Sequence, residues 1–221
     1  MPDLSTAAQQ GHVYDTCRPE ILPFVPDGIG SLLDVGCGTG GFGRLVRERF
    51  GPGLHLEGIE PVAAARESAE AAGFDVVRGG YFPEALERGD RFDCVVFNDV
   101  LEHMLDPWAA LARTRAHLSR GGWVVASLPN ILYLPVIARV IARRRWDYTD
   151  EGTLDRTHLR FFTRSTMLEM FAGAGFEVAR AEGINNQWYT GRWDRLQPIA
   201  PLTGQFQYLQ FVIVARPAAA R

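Results

Sequence analysis

Cysteine is scarce in this 221-residue chain, and its three copies, Cys17, Cys37 and Cys94, are spaced like neither a disulfide framework nor a zinc site. Cys37 and Cys94 fall in apolar, strand-like contexts, the setting of inert core thiols, which points to a reducing compartment. Basic excess is missing too. The formal net charge is -3, so the electrostatic footprint of nucleic-acid binding is not there. Met1-Pro2-Asp3-Leu4-Ser5 has neither the basic start nor the apolar stretch of a secretory leader, and no apolar run is long enough to span a bilayer. Internal repeats and low-complexity linkers are lacking as well. The expectation is a cytoplasmic protein with no stable membrane anchoring and no nucleic-acid partner.

What is present suits a packed core, with 47% of residues hydrophobic and 22% charged. The length fits one domain, 1–221, with an elaborated edge. Strand-like runs at 31–35, 54–59, 75–78, 92–97, 122–128, 176–182 and 205–215 alternate with helix-like runs at 41–50, 62–72, 108–118 and 165–174. That alternation predicts an α/β architecture, a parallel sheet flanked by helices. Ser165 is the expected N-cap of the last helix, with Gly173 and Gly175 closing it. Segments 129–162 and 185–204 exceed what such a core needs. Both connect to the sheet edge where open α/β folds bind ligands, so they are expected to form lids or recognition elements.

The most informative stretch is Leu32-Leu33-Asp34-Val35-Gly36-Cys37-Gly38-Thr39-Gly40-Gly41-Phe42-Gly43. An apolar run ends in an acid, glycines follow at every second position, and a helix-forming stretch begins. This is a buried strand turning sharply into a helix, with bare backbone at the turn for a ligand to approach. Gly36, Gly38 and Gly41 satisfy the G-x-G-x-x-G of dinucleotide sites, while Asp34, Gly36, Gly38 and Gly40 satisfy an acid placed two before G-x-G-x-G. The acid separates the two readings. A carboxylate here repels a pyrophosphate and weakens the helix-dipole attraction that should hold it, whereas it suits a ligand bearing an ammonium and a sulfonium. The stretch resembles the first motif of class I S-adenosylmethionine-dependent methyltransferases. That resemblance implies a Rossmann-like seven-stranded methyltransferase fold with an antiparallel last strand, S-adenosyl-L-methionine as cofactor and S-adenosyl-L-homocysteine as product.

Further residues fit the same resemblance. Glu60 ends the second strand in Gly58-Ile59-Glu60-Pro61, at the distance expected of an acid that takes both ribose hydroxyls, with Pro61 beside it. Glu60 also reads as a helix-start acid. The run Phe92-Asp93-Cys94-Val95 through Leu101-Glu102-His103 resembles the fourth-strand motif of the small-molecule branch, which implies Asn98 beside the cofactor's methionine part and Asp99 close to it. The third strand departs from the pattern. Arg78-Gly79-Gly80-Tyr81-Phe82 stands where many relatives place an acid, so adenine recognition is expected from backbone near Gly80, with Tyr81 or Phe82 against the ring. Tyr14 and Arg18 precede the first strand, in a segment that often closes over the cofactor in this fold.

Methyl transfer from a sulfonium is an in-line displacement, so alignment and exclusion of water matter most. A hydroxyl acceptor also benefits from a base. His103, at the mouth of the fourth strand, and His158, in Asp155-Arg156-Thr157-His158, are the two catalytic candidates, and each also reads as a brace for its loop. Asp155 is placed to orient His158. This segment, with Trp146-Asp147-Tyr148 before it, resembles methyltransferases associated with glycan or O-antigen assembly. Asp99, Asp155 and His158 have ligand chemistry but no compact ligand spacing, so no metal is expected. The apolar-then-basic run from Ile131 to Trp146 reads as a lid helix with solvated arginines, or as a surface for a membrane or an anionic substrate. Trp188, Tyr189, Arg192 and Trp193 suit a sugar or flat aromatic acceptor, or pack the second insert against the body. The expected function is S-adenosylmethionine-dependent O-methylation of a small-molecule or carbohydrate acceptor. N-methylation, another transfer on the same fold, an NAD-dependent oxidoreductase and a non-catalytic binding module are the alternatives.

Overall fold

The computed structural model describes residues 17–186 and 191–219. Tyr14, Trp188 and Tyr189 lie outside the described residues, as do the side chains of Arg192 and Trp193. The strands are β1 (Ser31–Val35), β2 (His55–Glu60), β3 (Val76–Gly79), β4 (Phe92–Asn98), β5 (Leu118–Pro129), β6 (Phe176–Ile184) and β7 (Gln210–Pro217). The α-helices are α1 (Gly41–Phe50), α2 (Ala63–Ala71), α3 (Pro107–Thr114), α4 (Leu134–Arg143) and α5 (Arg164–Gly173). The sheet order is β3-β2-β1-β4-β5-β7-β6, with β1 to β5 parallel and β7 antiparallel to both its neighbours. This is the seven-stranded architecture with an antiparallel last strand that the sequence pattern implied.

The central strands are apolar on both faces because helices cover both. Leu33, Val35, Val95 and Phe97 pack on one side with Met167 and Phe171 of α5, while Leu32, Cys94 and Val96 pack on the other with Phe42 and Val46 of α1. Successive residues thus serve opposite faces, the two-residue period of a strand. Chain order reverses between β1 and β4, and Val35 stands in register with both Ile59 and Phe97. Asp34, Glu60 and Asn98 are therefore delivered to one edge of the sheet, at the crevice where open α/β sheets bind ligands.

Three local expectations shift. Thr163 caps α5 instead of Ser165: its hydroxyl accepts from the Thr166 amide (3.3 Å), and the Thr166 hydroxyl accepts from the Thr163 amide (2.9 Å). Ser165 cannot serve because the helix has already begun at Arg164. Strand β7 starts at Gln210, since the preceding residues belong to a run of helical turns, Gly191–Gln207, broken at Gly204. The helix expected over 108–118 is α3 followed by a single tight turn, Arg115–His117.

The first insert leaves β5 and returns at Phe162, where the Ile131 amide donates to the Phe162 carbonyl (2.9 Å). Buried Asn130 ties it to the chain just after the second insert, its side-chain amide donating to the carbonyls of Gln205 (3.1 Å) and Tyr208 (3.0 Å). Helix α4 lies on the outside of this excursion with Ile141 exposed. Among the described residues no helix is long and apolar enough to cross a membrane.

Candidate cofactor and acceptor site

The turn after β1 is pinned to β2, whose Ile59 carbonyl accepts from the amides of Gly36 (2.8 Å) and Cys37 (3.1 Å). Gly36, Gly38 and Gly40 all have positive φ. At Gly40 the bare backbone also lets α2 approach, for a Cβ there would stand 2.8 Å from the Cα of Ala69. The Glu60 carboxylate bridges this turn to the start of α2, accepting from the Gly38 amide (3.0 Å) and the Val62 amide (2.8 Å). Each oxygen keeps further acceptor capacity for a ligand hydroxyl.

Asp34 is buried beneath the turn, and its Oδ1 has no hydrogen-bond partner. Burial, reinforced by the nearby Glu60 charge, pushes its carboxyl up to about 8. The native state therefore holds a proton that the unfolded chain releases near pH 4, and stability should fall as pH rises through that interval. The expected slope is up to about 1.4 kcal/mol per pH unit. Urea unfolding of wild type and Asp34→Asn between about pH 6.5 and pH 8 checks this: the wild type should lose stability with rising pH and the variant less steeply, keeping the part due to Glu102, whose buried carboxyl is pushed up likewise.

At the mouth of β4, both side-chain polar atoms of Asn98 are buried without a partner. Its neighbour Asp99, in a left-handed conformation, is fully engaged. Gln210 Nε2 donates to both carboxylate oxygens (2.9 Å each), the Ser127 hydroxyl donates to Oδ1 (2.9 Å), and Arg18 pairs with Oδ2. Arg18 also donates to Glu20 (2.8 Å) and to Gln210 (3.1 Å). The segment before β1 is thereby latched beside the glycine turn, and a Cβ on Gly41 would stand 3.2 Å from the Cα of Cys17.

Of the aromatic pair after β3, Phe82 is buried edge-on against Phe97 at 5.4 Å, whereas Tyr81 is 64% exposed. Only Tyr81 is therefore placed to cover a ligand ring, with Gly80 (φ 122°) beside it. Arg66, which the linear pattern did not mark, spans this region by donating to the carbonyls of Glu60 (3.1 Å) and Pro61 (2.8 Å). Its position in the first turns of α2 after an acid is the one signal that could have found it.

The Leu101–His103 turn meets the first insert directly, as the Glu102 carbonyl accepts from the amides of Leu159 (2.8 Å) and Arg160 (3.0 Å). This contact lays the His103 and His158 rings 4.7 Å apart, edge to face. Nδ1 of His103 lies 3.2 Å from the Thr157 carbonyl, and Nδ1 of His158 lies 3.1 Å from that of Thr153. A carbonyl can only accept, so each Nδ1 carries the hydrogen and each Nε2 keeps its lone pair. Burial lowers both imidazoles, His103 to about 4 with His158 adding to the effect, so both are neutral at pH 7. The expected Asp155–His158 orientation takes another route. Asp155 accepts from the Thr157 hydroxyl (2.6 Å) and amide (2.7 Å), and Thr157 in turn holds His103. Sequence reasoning also passed over Glu102, which is 1% exposed with both carboxyl oxygens unpartnered, and burial pushes it up to about 8.

The fold and this cluster of polar groups at the strand ends match known proteins. The methyltransferase domain family matches residues 9–181, and the chain belongs to that family. It is an S-adenosylmethionine-dependent methyltransferase. The chain is 28% identical over 224 residues to a ubiquinone biosynthesis O-methyltransferase of Methylobacterium sp. (strain 4-46), covering 96% of this chain and 81% of that protein. It is 33% identical over 170 residues to the enzyme of that name from Ruegeria pomeroyi, covering 71% of this chain and 66% of the relative. A solved SAM-dependent methyltransferase from Archaeoglobus fulgidus superposes with a TM-score of 0.63 at 17% identity, covering 89% of this chain and 90% of that one. The residues present fit the cofactor: the orphaned Asp34 Oδ1 and Asn98 amide are buried polar atoms that a ligand with an ammonium and a carboxylate can satisfy.

Proposed function

We propose that this enzyme methylates a hydroxyl of a small-molecule acceptor held between the mouth of β4 and the first insert. The observation that carries this reading is the pair of neutral imidazoles, His103 and His158, each with Nδ1 bonded to a carbonyl and Nε2 open. When bound, S-adenosylmethionine supplies a methyl on a sulfonium, which leaves as a neutral thioether. Glu60 and Pro61 would border the ribose, Gly80 and Tyr81 the adenine and Asn98 the methionine part, while Asp34 would balance the cationic end once the ligand's positive charge displaces the proton that burial holds on it. The bare backbone at Gly36, Gly38 and Gly40 lets the cofactor approach, while Asp99 acts through its network with Arg18, Ser127 and Gln210. Tyr14 is proposed as a further cofactor contact.

A hydroxyl attacks poorly while it keeps its proton, and the open Nε2 atoms are where that hydrogen or its oxygen is received. An amine acceptor needs no such group. The two relatives' names support oxygen as the methylated atom. Phenols and carbohydrates, including glycan intermediates, are the acceptor classes to compare. In the double variant His103→Ala/His158→Ala, turnover on the hydroxyl acceptor should fall by more than about 100-fold. S-adenosylhomocysteine affinity should stay unchanged, as read by calorimetry. Wild-type turnover in that variant would sink this reading and point to N-methylation.

A further inference from the structure

Glu102 presents the sharpest unsolved problem in the molecule. Its carboxyl group is 1% exposed, and neither oxygen has a hydrogen-bond partner. Its close polar neighbour is Nε2 of His158, 4.0 Å from Oε1, too far for a hydrogen bond. A buried carboxyl left in this state costs stability unless something satisfies it. Arg18, the cation whose field reaches Glu102, is committed to Asp99 and Glu20, and Asp155 adds a repulsive charge.

The two imidazoles complete the arrangement. One ligand-type atom from each of Glu102, His103 and His158 lies within 4.8 Å of the other two. Tetrahedral donors on a zinc-sized cation stand about 3.4 Å apart. The Glu102–His158 pair, at 4.0 Å, is close to that spacing, and the widest pair, within 4.8 Å, would close by up to about 1.4 Å as the side chains turn onto the cation. Each ring has its Nδ1 hydrogen fixed on a backbone carbonyl, the support that metal-ligating histidines ordinarily have, which presents Nε2 as the donor. The Thr157 hydroxyl gives its own hydrogen to Asp155 and so faces His103 Nδ1 as a second acceptor (3.1 Å).

We propose that Glu102, His103 and His158 form a binding site for one divalent transition-metal cation of the zinc, cobalt or iron class. Two imidazoles and one carboxylate select such ions over magnesium and calcium, which prefer all-oxygen sites. The compact spacing that the linear sequence lacked is created by the insert, which carries His158 back to the mouth of β4. Its occupant clamps the insert to the sheet and keeps coordination positions beyond the three protein ligands. A cation on these ligands occupies the Nε2 lone pairs that the proposed base reading leaves open, so the base reading concerns the cation-free enzyme and cation binding is measured apart from turnover.

The test uses the full chain after chelator treatment, titrated with Co2+ and followed by its visible absorption. One equivalent should bind and raise the thermal midpoint. Glu102→Gln and His158→Ala should each weaken Co2+ binding by more than about tenfold while S-adenosylhomocysteine affinity, the check on folding, stays within about twofold. Thr157→Val should give a smaller loss. Failure of the wild type to bind Co2+ at about 1 mM, the weak end of protein cation sites, would overturn the proposal. Equal Co2+ affinity in wild type, Glu102→Gln and His158→Ala would overturn it too.

Discussion

Glu60→Ala is expected to weaken S-adenosylhomocysteine binding by more than about 100-fold in a calorimetric titration. Two effects combine. The carboxylate now accepts from the amides of Gly38 and Val62, and its removal leaves the glycine turn without the brace that sets its shape. On the proposed reading it also removes the acceptor for two ribose hydroxyls. Hydrogen bonds to a charged group contribute about 1.5–3 kcal/mol each, so losing two of them passes the 100-fold mark. Glu60→Gln keeps one acceptor oxygen and should fall between. An alanine variant that binds within about threefold of wild type would mean that Glu60 is only a helix-start acid.

Gly40→Ala should destabilise the fold by about 3 kcal/mol, combining the cost of a side chain in the left-handed region with overpacking. The steric part is specific, since the added carbon meets the Cα of Ala69 and the Cβ of Ala72, both at 2.8 Å, and backbone cannot step aside cheaply. Gly28, in the turn before β1, is the control. It has a similar positive φ of 75° but nothing within 4 Å of a built Cβ. Gly28→Ala should therefore cost about 1 kcal/mol, the conformational part alone. Urea unfolding of the pair separates the two terms, and equal losses would contradict the close approach of α2 to the turn.

Much of the fold was legible because its information is local. Apolar strands ending in Asp34, Glu60 and Asn98 alternate with helices, and the parallel pairing that such crossovers produce brings those ends to one edge. What was not legible depends on contacts between distant segments. Glu102 stood only as the middle of the Leu-Glu-His motif, yet the first insert bonds its carbonyl through the amides of Leu159 and Arg160, and its side chain is buried. Asp99 looked available to a ligand until Arg18 and Gln210 converged on it from opposite ends of the chain. His158 looked like a partner for Asp155 because they are three residues apart, but a tight turn gives its Nδ1 to the Thr153 carbonyl instead. The cap of α5 moved from Ser165 to Thr163 for a similar reason, since reciprocal bonding with Thr166 outcompetes a single hydroxyl.

A crystal structure with bound S-adenosylhomocysteine tests the central claim most directly. The account predicts the ribose hydroxyls on Glu60, the methionine part on the Asn98 side chain, and the sulfur opening toward Glu102, His103 and His158. A sulfur facing away from that cluster, with Asn98 still unpartnered, would contradict it.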